Sequence, residues 1–108
     1  MFTAEYFRTR LRAEAEATGG AYVVEVYLIN GHSHRVRTIR DTPQGYVLLE
    51  VYQQRADPSK QPMSWEGAPE SNPSQETRLV ALSYDGIAEV RIEPALPRAR
   101  TLPGFAST

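Results

Sequence analysis

The chain has 108 residues, 41% of them hydrophobic, and its 12 lysines and arginines nearly balance 13 aspartates and glutamates. This fits one small domain and excludes a whole-protein field that would attract nucleic acid or an anionic membrane. The chain has no cysteine, which excludes disulfides, thiolate metal sites and a cysteine nucleophile. No apolar run approaches the roughly 18 residues of a membrane span, so we expect a cytoplasmic protein without membrane contact.

The first element is a predicted helix over residues 3–18, "TAEYFRTRLRAEAEAT". Thr3 is a suitable N-cap, and the glycines at 19–20 supply a stop. Its apolar residues fall on one stripe, formed by Ala4, Phe7, Leu11 and Ala15. One short stripe does not sustain an isolated helix, so this helix must dock on a larger element.

From residue 22 the pattern changes to that of β-strands. Residues 22–29, "YVVEVYLI", are rich in β-branched and aromatic side chains, and residues 32–40, "HSHRVRTIR", return as a second strand. Asn30 and Gly31 between them are a strong hairpin signal, because both residue types tolerate positive φ. The first two strands are therefore predicted to form a hairpin.

Three more strands are predicted at residues 46–54, 77–84 and 87–93. The segment "DTPQG" before the third strand reads as a turn. Asp85 and Gly86 lie between the last two strands and predict a second hairpin-type turn. We expect five short strands behind one helix to close into a small barrel, because an open sheet leaves unpaired edges.

Two proline-rich segments interrupt or follow this domain, which spans residues 1–93. Residues 55–76 contain four prolines and form a polar insert, and residues 94–108 form a proline-rich C-terminal tail. The single tryptophan, Trp65, lies in the insert and either pins it to the barrel or awaits a partner. Of these two, we favour pinning.

The order of elements resembles the Sm-like (LSm/Hfq-like) family of small RNA-binding proteins. The resemblance rests on "VYLING" at the first turn, "YVLLE" in the third strand and "LSYDGIAEV" at the end. It implies a mainly β fold, in which an N-terminal α-helix precedes a five-stranded, strongly bent antiparallel Sm-like or SH3-like barrel. Val36 stands where many members have glycine, and Ser83 and Tyr84 replace an Arg-Gly pair. The usual uridine-binding motifs are therefore not matched.

The second strand carries the concentrated basic segment of the domain, and two interpretations of it are open. In the first, the strand contacts RNA phosphates while aromatic rings stack on bases. The candidate RNA-binding residues are Arg35, Arg37, Arg40, Tyr46 and Tyr84. In the second, which we favour, the strand has a solvated face on which the arginines pair with Glu25 or Glu50 across the strands.

His32 and His34 are two residues apart and would share one face of a regular strand. Two imidazoles in this arrangement are weak metal candidates, with Asp41 or Glu25 as the available third ligands. Exposed histidines beside a turn need no special explanation, so we predict no metal site.

The sequence contains no arrangement that predicts catalysis. It lacks a nucleophile with a histidine–carboxylate partner, a glycine-rich phosphate loop and a complete set of metal ligands, so we predict neither an enzyme nor a cofactor. We predict a non-catalytic Sm-like binding module, with single-stranded RNA as a possible ligand. The alternative is a protein-interaction or assembly scaffold without nucleic-acid binding.

The resemblance also implies partners. Sm-like subunits assemble by pairing their fourth and fifth strands, so we predict a homo-oligomer through residues 77–84 and 87–93. A protein partner is predicted at residues 55–76 or 94–108.

Overall fold

The computed structural model describes residues 1–65 and 76–95 of the chain. Its helical part is a π-helical turn, Tyr6–Arg10, followed by α1, Leu11–Glu16. The strands are β1 (Tyr22–Leu28), β2 (Ser33–Asp41), β3 (Tyr46–Tyr52), β4 (Thr77–Ser83) and β5 (Ile87–Pro94). Short 3₁₀ turns lie at Pro58–Lys60 and Tyr84–Gly86. The predicted tail beyond residue 95 and the middle of the insert lie outside the described residues.

The predicted N-terminal helix is confirmed, including its cap. The Tyr6 amide donates to Oγ1 of Thr3 at 3.2 Å, which satisfies one of the free N–H groups of the first turn. Phe7, Leu11 and Ala15 are buried along the predicted stripe. No helix of the described part is long and apolar enough to cross a membrane.

The β1–β2 hairpin is also confirmed, and it turns through the predicted Asn30–Gly31 pair. The Leu28 amide donates to the His32 carbonyl at 2.8 Å, and the Gly31 amide to the Leu28 carbonyl at 2.9 Å. Gly31 has φ +94°, a conformation that glycine adopts without a steric penalty. Oδ1 of Asn30 accepts from the His32 amide at 3.0 Å and closes the turn.

The five strands form one antiparallel sheet in the order β4-β3-β2-β1-β5. The prediction of five strands is confirmed, but the sheet is open and does not close into a barrel within the described residues. The prediction of a hairpin at Asp85 and Gly86 is wrong, because β4 and β5 do not pair with each other. These residues form a 3₁₀ turn between strands that pair with β3 and β1 rather than with each other.

The short β4–β5 connection shows that the open sheet is curved. Ser83 ends β4 and Ile87 begins β5, so four residue steps join them and span at most about 14 Å. In a flat sheet these edges would lie four strand spacings, or about 19 Å, apart. The sheet must therefore curl, and the Ile29 amide holds the turn by donating to the Gly86 carbonyl at 3.0 Å.

Two irregularities in β2 account for part of this curvature. The β2–β3 register shifts between Val36 and Thr38 and again between Ile39 and Asp41. Each shift leaves one extra residue on β2, first Arg37 and then Arg40, and such bulges bend a strand. The bend therefore arises without a glycine at position 36.

The core lies between the helix and one face of the curled sheet. Its fully buried side chains include Phe7, Leu11, Val24, Val26, Val36, Val47, Leu49 and Val51. The insert contributes Met63, whose amide donates to the Tyr22 carbonyl at 2.9 Å. The insert as far as residue 65 thus packs against the domain.

Trp65 pins the insert, as the favoured interpretation expected. Its Nε1 donates to the Tyr22 hydroxyl at 2.5 Å, and the Arg12 guanidinium lies 5.2 Å from its ring centroid. A hydrogen bond and a cation–π contact together fix the ring between the helix and β1.

Candidate functional site

The first arginine of the basic strand, Arg35, belongs to a buried ion cluster. Arg35 lies directly opposite Glu25 in the β1–β2 register, and its Nη2 is 3.8 Å from Oε1 of Glu25. The side chains of Arg35 and Glu25 are only 7% and 9% exposed. Nη1 of Arg35 donates to the Ala56 carbonyl and to Oε1 of Gln61, both at 2.8 Å. Arg35 therefore ties the sheet to the insert.

Arg55 completes this cluster from the insert. Its guanidinium makes a two-pronged contact with Glu25, with Nη2 at 3.0 Å from Oε1. Burial by itself would raise the pKa of Glu25, but the Arg55 hydrogen bond and the charges of Arg55 and Arg35 outweigh it and lower that pKa. Glu25 is therefore held as a carboxylate.

The other two arginines of the strand converge on Glu50 of β3. Nη1 of Arg37 lies 3.3 Å from Oε2 of Glu50, and Nε of Arg40 lies 3.0 Å from Oε1. Thr77 of β4 donates its hydroxyl to the same carboxylate at 2.6 Å. Burial opposes ionisation, yet the Thr77 and Arg40 hydrogen bonds and the arginine charges lower the pKa of Glu50. The two bulges explain how Arg37 and Arg40 reach one acceptor.

The predicted cross-strand pairing of the arginines is thus confirmed at Glu25 and Glu50, but the expected solvated face is wrong for Arg35 and Glu25, which are buried. Of the candidate RNA-binding residues, Arg40 and Tyr46 remain exposed, with 41% of the Arg40 side chain and 44% of Tyr46 accessible. Tyr84 is buried, because its hydroxyl donates to the Pro43 carbonyl at 2.9 Å and its ring lies 5.9 Å from that of Phe7. The structure does not bring the five residues together on one surface, and RNA binding stays a prediction.

The two histidines lie at the start of β2 and beside the turn. His34 is half-buried opposite Val26, and burial, followed by the charge of Arg78 and the nearby His32, lowers its pKa. Within residues 1–65 and 76–95, no group of three or more histidines, aspartates and glutamates could hold a metal ion.

The edge strand β4 presents outward-facing backbone groups that can be assigned from the ladder. The Gln53 amide donates to the Glu76 carbonyl at 3.0 Å and the Tyr84 amide to the Gly45 carbonyl at 3.4 Å. Because hydrogen-bonded pairs alternate in an antiparallel ladder, even-numbered residues of β4 face β3. The outward-facing N–H and C=O groups of β4 belong to Thr77, Leu79, Ala81 and Ser83, and the Thr77 carbonyl among them accepts from Nε2 of Gln53 at 3.0 Å.

The same reasoning applies to β5 at the opposite edge. The Ala95 amide donates to the Ala21 carbonyl at 3.0 Å, so the odd-numbered residues from Glu89 to Glu93 face β1. Val90 and Ile92 therefore direct their amides outward, and Pro94, which has no N–H, stands at the next outward position. Within the described part of the chain, neither edge pairs with a further strand.

Sequence reasoning missed the role of Gln61. This side chain is fully buried, accepts from Arg35 and from the Ala56 amide (3.1 Å), and donates to the Gln54 carbonyl at 2.6 Å. A glutamine in a polar segment carries no sequence signal for burial. The protein partner predicted at 55–76 or 94–108 concerns residues that lie largely outside the described part.

The comparisons with known proteins add no relative to this picture. No protein-family model matches the chain, and searches of curated proteins and of solved structures return no significant match.

Proposed function

We propose that this chain is a non-catalytic, self-assembling module of the Sm-like type, in which β4 of one copy pairs with β5 of the next. The observation that carries the proposal is the strand order, which leaves these two strands at opposite edges. They are the fourth and fifth strands, which pair between subunits in the family that the sequence resembles. The short helix in front of a curled five-stranded sheet also supports this assignment.

The exposed edges argue for a partner on physical grounds. Soluble proteins protect sheet edges with charges, prolines, bulges or a covering segment. The β4 residues whose backbone groups face the open edge are uncharged, and Leu79 among them is 59% exposed. A second copy would satisfy these backbone groups, each bond contributing about 0.5–1.5 kcal/mol. Assembly is therefore favoured over an isolated chain.

Pairing of two different edges has a consequence for the shape of the assembly. A head-to-tail interface leaves one free edge at each end of the growing oligomer. Growth stops only when the two free edges pair and the ring closes. A curved sheet supplies the rotation between neighbours that closure requires. The proposal is thus a closed ring, in which assembly rather than an intramolecular pair removes the free edges.

Size-exclusion chromatography with light scattering tests the proposal. We expect the wild-type protein to elute at a multiple of its 12.1 kDa mass at micromolar concentration. Ala81→Pro removes one outward N–H of β4 and should reduce the mass, whereas Ala81→Ser keeps that N–H and should not. A wild-type monomer throughout the micromolar range would refute the proposal.

A second candidate function is RNA binding, which one groove favours. A groove of about 260 Å³ between the helix and β2 is lined by Arg8, Arg12, Arg40 and Trp65, among others. Cationic side chains beside an aromatic ring suit single-stranded nucleic acid. Binding of a labelled oligoribonucleotide should then weaken steeply with salt and with Arg40→Gln. Salt-independent binding, or none, would remove this candidate.

A further inference from the structure

A polar cleft of about 240 Å³ lies where β2 begins, β3 ends and β4 begins. Its lining includes His34, Arg35, Gln53, Gln54, Arg55 and Arg78. No aspartate or glutamate is among the described residues that line it. The cleft is distinct from the outward edges on which the proposed assembly depends.

The arginines that line this cleft are only partly balanced by the acidic group that bonds to them. Three guanidinium groups line it, and Glu25, which bonds to Arg35 and Arg55, offsets one of them. Arg78 forms no hydrogen bond or ion pair with any residue of the described part, and it is exposed. About two positive charges therefore remain, counting Glu25 as ionised because its pKa is lowered.

A buried donor at this cleft also lacks an acceptor. The Nε of Arg35 is buried and has no hydrogen-bond partner among the described residues, although Nη1 of the same side chain makes two bonds. Leaving such a donor unsatisfied costs about 1–3 kcal/mol, and more for a charged group. Nε is closed to solvent, so an acceptor bound in the cleft would recover this cost only if the Arg35 side chain shifted to expose it.

The neighbouring His34 lies close enough to Arg78 for the charge of that arginine to affect its pKa. After burial, the charge of Arg78 is the main cause that lowers the pKa of His34. A neutral imidazole adds a hydrogen-bonding group without adding charge. The cleft thus combines fixed positive charge with polar groups of adaptable geometry.

We propose that this cleft binds a phosphate group. An anion with nearly two negative charges matches the uncompensated charge better than a carboxylate with one, and phosphate monoesters carry about −1.5 to −2 near pH 7. Arg78 provides a guanidinium fork that has no partner among the described residues, and Arg35 adds a second guanidinium to the lining. This binding site goes beyond the proposed assembly and does not depend on it.

Imidazole resonances in NMR spectra of the full chain test this proposal. The chain has only two histidines, so His34 at the cleft and His32 outside its lining give an internal comparison. Titration with inorganic phosphate at constant pH and ionic strength should shift the His34 resonances saturably, with half-saturation on the order of 1 mM. The His32 resonances should move much less, and acetate should bind more weakly.

Substitutions of Arg78 separate the site from general anion effects. Arg78→Gln should weaken phosphate binding at least about tenfold, the loss expected for one charged hydrogen bond, and Arg78→Lys should restore part of it. Arg10→Gln, on the exposed helix, is the matched control and should leave binding unchanged. Equal shifts of both histidines, absence of saturation, or unchanged binding by Arg78→Gln would overturn the proposal.

Discussion

Replacing Arg35 by methionine tests whether the basic strand is a structural feature rather than an exposed ligand surface. Arg35→Met removes every donor of the guanidinium and keeps an unbranched side chain of similar length. The Ala56 carbonyl and Oε1 of Gln61 each lose a 2.8 Å bond from Arg35. Glu25 keeps Arg55 as a partner, so its charge is not left alone.

The loss of stability expected for Arg35→Met follows from these contacts. Two hydrogen bonds to a charged donor contribute about 1.5–3 kcal/mol each. Relief of the cost of burying the guanidinium offsets part of this sum. We expect a loss of about 3 kcal/mol in the free energy of unfolding, a large share of the 5–15 kcal/mol typical of small domains.

Urea denaturation followed by circular dichroism measures this loss. With a slope of about 1–3 kcal/mol per molar urea, the midpoint should fall by about 1–3 M. Arg10→Met is the matched control, because Arg10 and Glu14 form an exposed pair at 3.9 Å worth no more than about 0.5 kcal/mol. A loss below about 1 kcal/mol for Arg35→Met would refute the structural role of this arginine.

Three further predictions concern pH and the insert. Glu50 has a pKa below its ordinary 4.5, so its contribution to the free energy of unfolding is present above pH 4.5 and is lost as the pH falls further. Glu50→Gln should therefore reduce the fall in the urea midpoint on acidification. His34 has a pKa below its ordinary 6.5, so the unfolded chain binds the extra proton and the free energy of unfolding should fall as pH drops below 6.5. His34→Gln should remove this dependence on pH, whereas His32→Gln should leave it. An unchanged dependence in His34→Gln would contradict the burial of His34. Because Trp65 is hydrogen-bonded to Tyr22, its fluorescence should change at the same urea concentration as the circular dichroism, and an earlier transition would show that the insert opens independently.

Local patterns in the sequence were sufficient for the parts of the fold that short-range contacts determine. Thr3 accepts the predicted capping bond, and the Asn30–Gly31 pair turns the first hairpin. The pairing of Arg35 with Glu25 was also predictable, because the hairpin register places them opposite each other. Each of these depends on residues close in sequence or joined by one turn.

Features that depend on long-range contacts were harder to predict from the sequence. Asp85 and Gly86 have the composition of a hairpin turn, yet β4 and β5 pair with β3 and β1, which only the full strand order reveals. The bulges that bring Arg37 and Arg40 to Glu50 leave no mark in a period-two pattern. The polar cleft likewise joins residues from three strands and the insert, so no single segment signals it.

A mixing experiment tests the edge-to-edge assembly most directly. Ala81→Pro blocks the β4 edge and leaves β5 free, whereas Val90→Pro blocks β5 and leaves β4 free. Ala81→Ser and Val90→Ala retain both backbone amides and serve as controls, which should assemble as the wild type does.

Light scattering of the two proline variants, alone and mixed, gives the decisive masses. We expect each variant alone to be a 12.1 kDa monomer and their equimolar mixture to form a dimer of twice that mass, because one intact edge of each kind is then available. Dimerisation of either variant alone, or a mixture of folded variants that stays monomeric, would contradict pairing of β4 with β5.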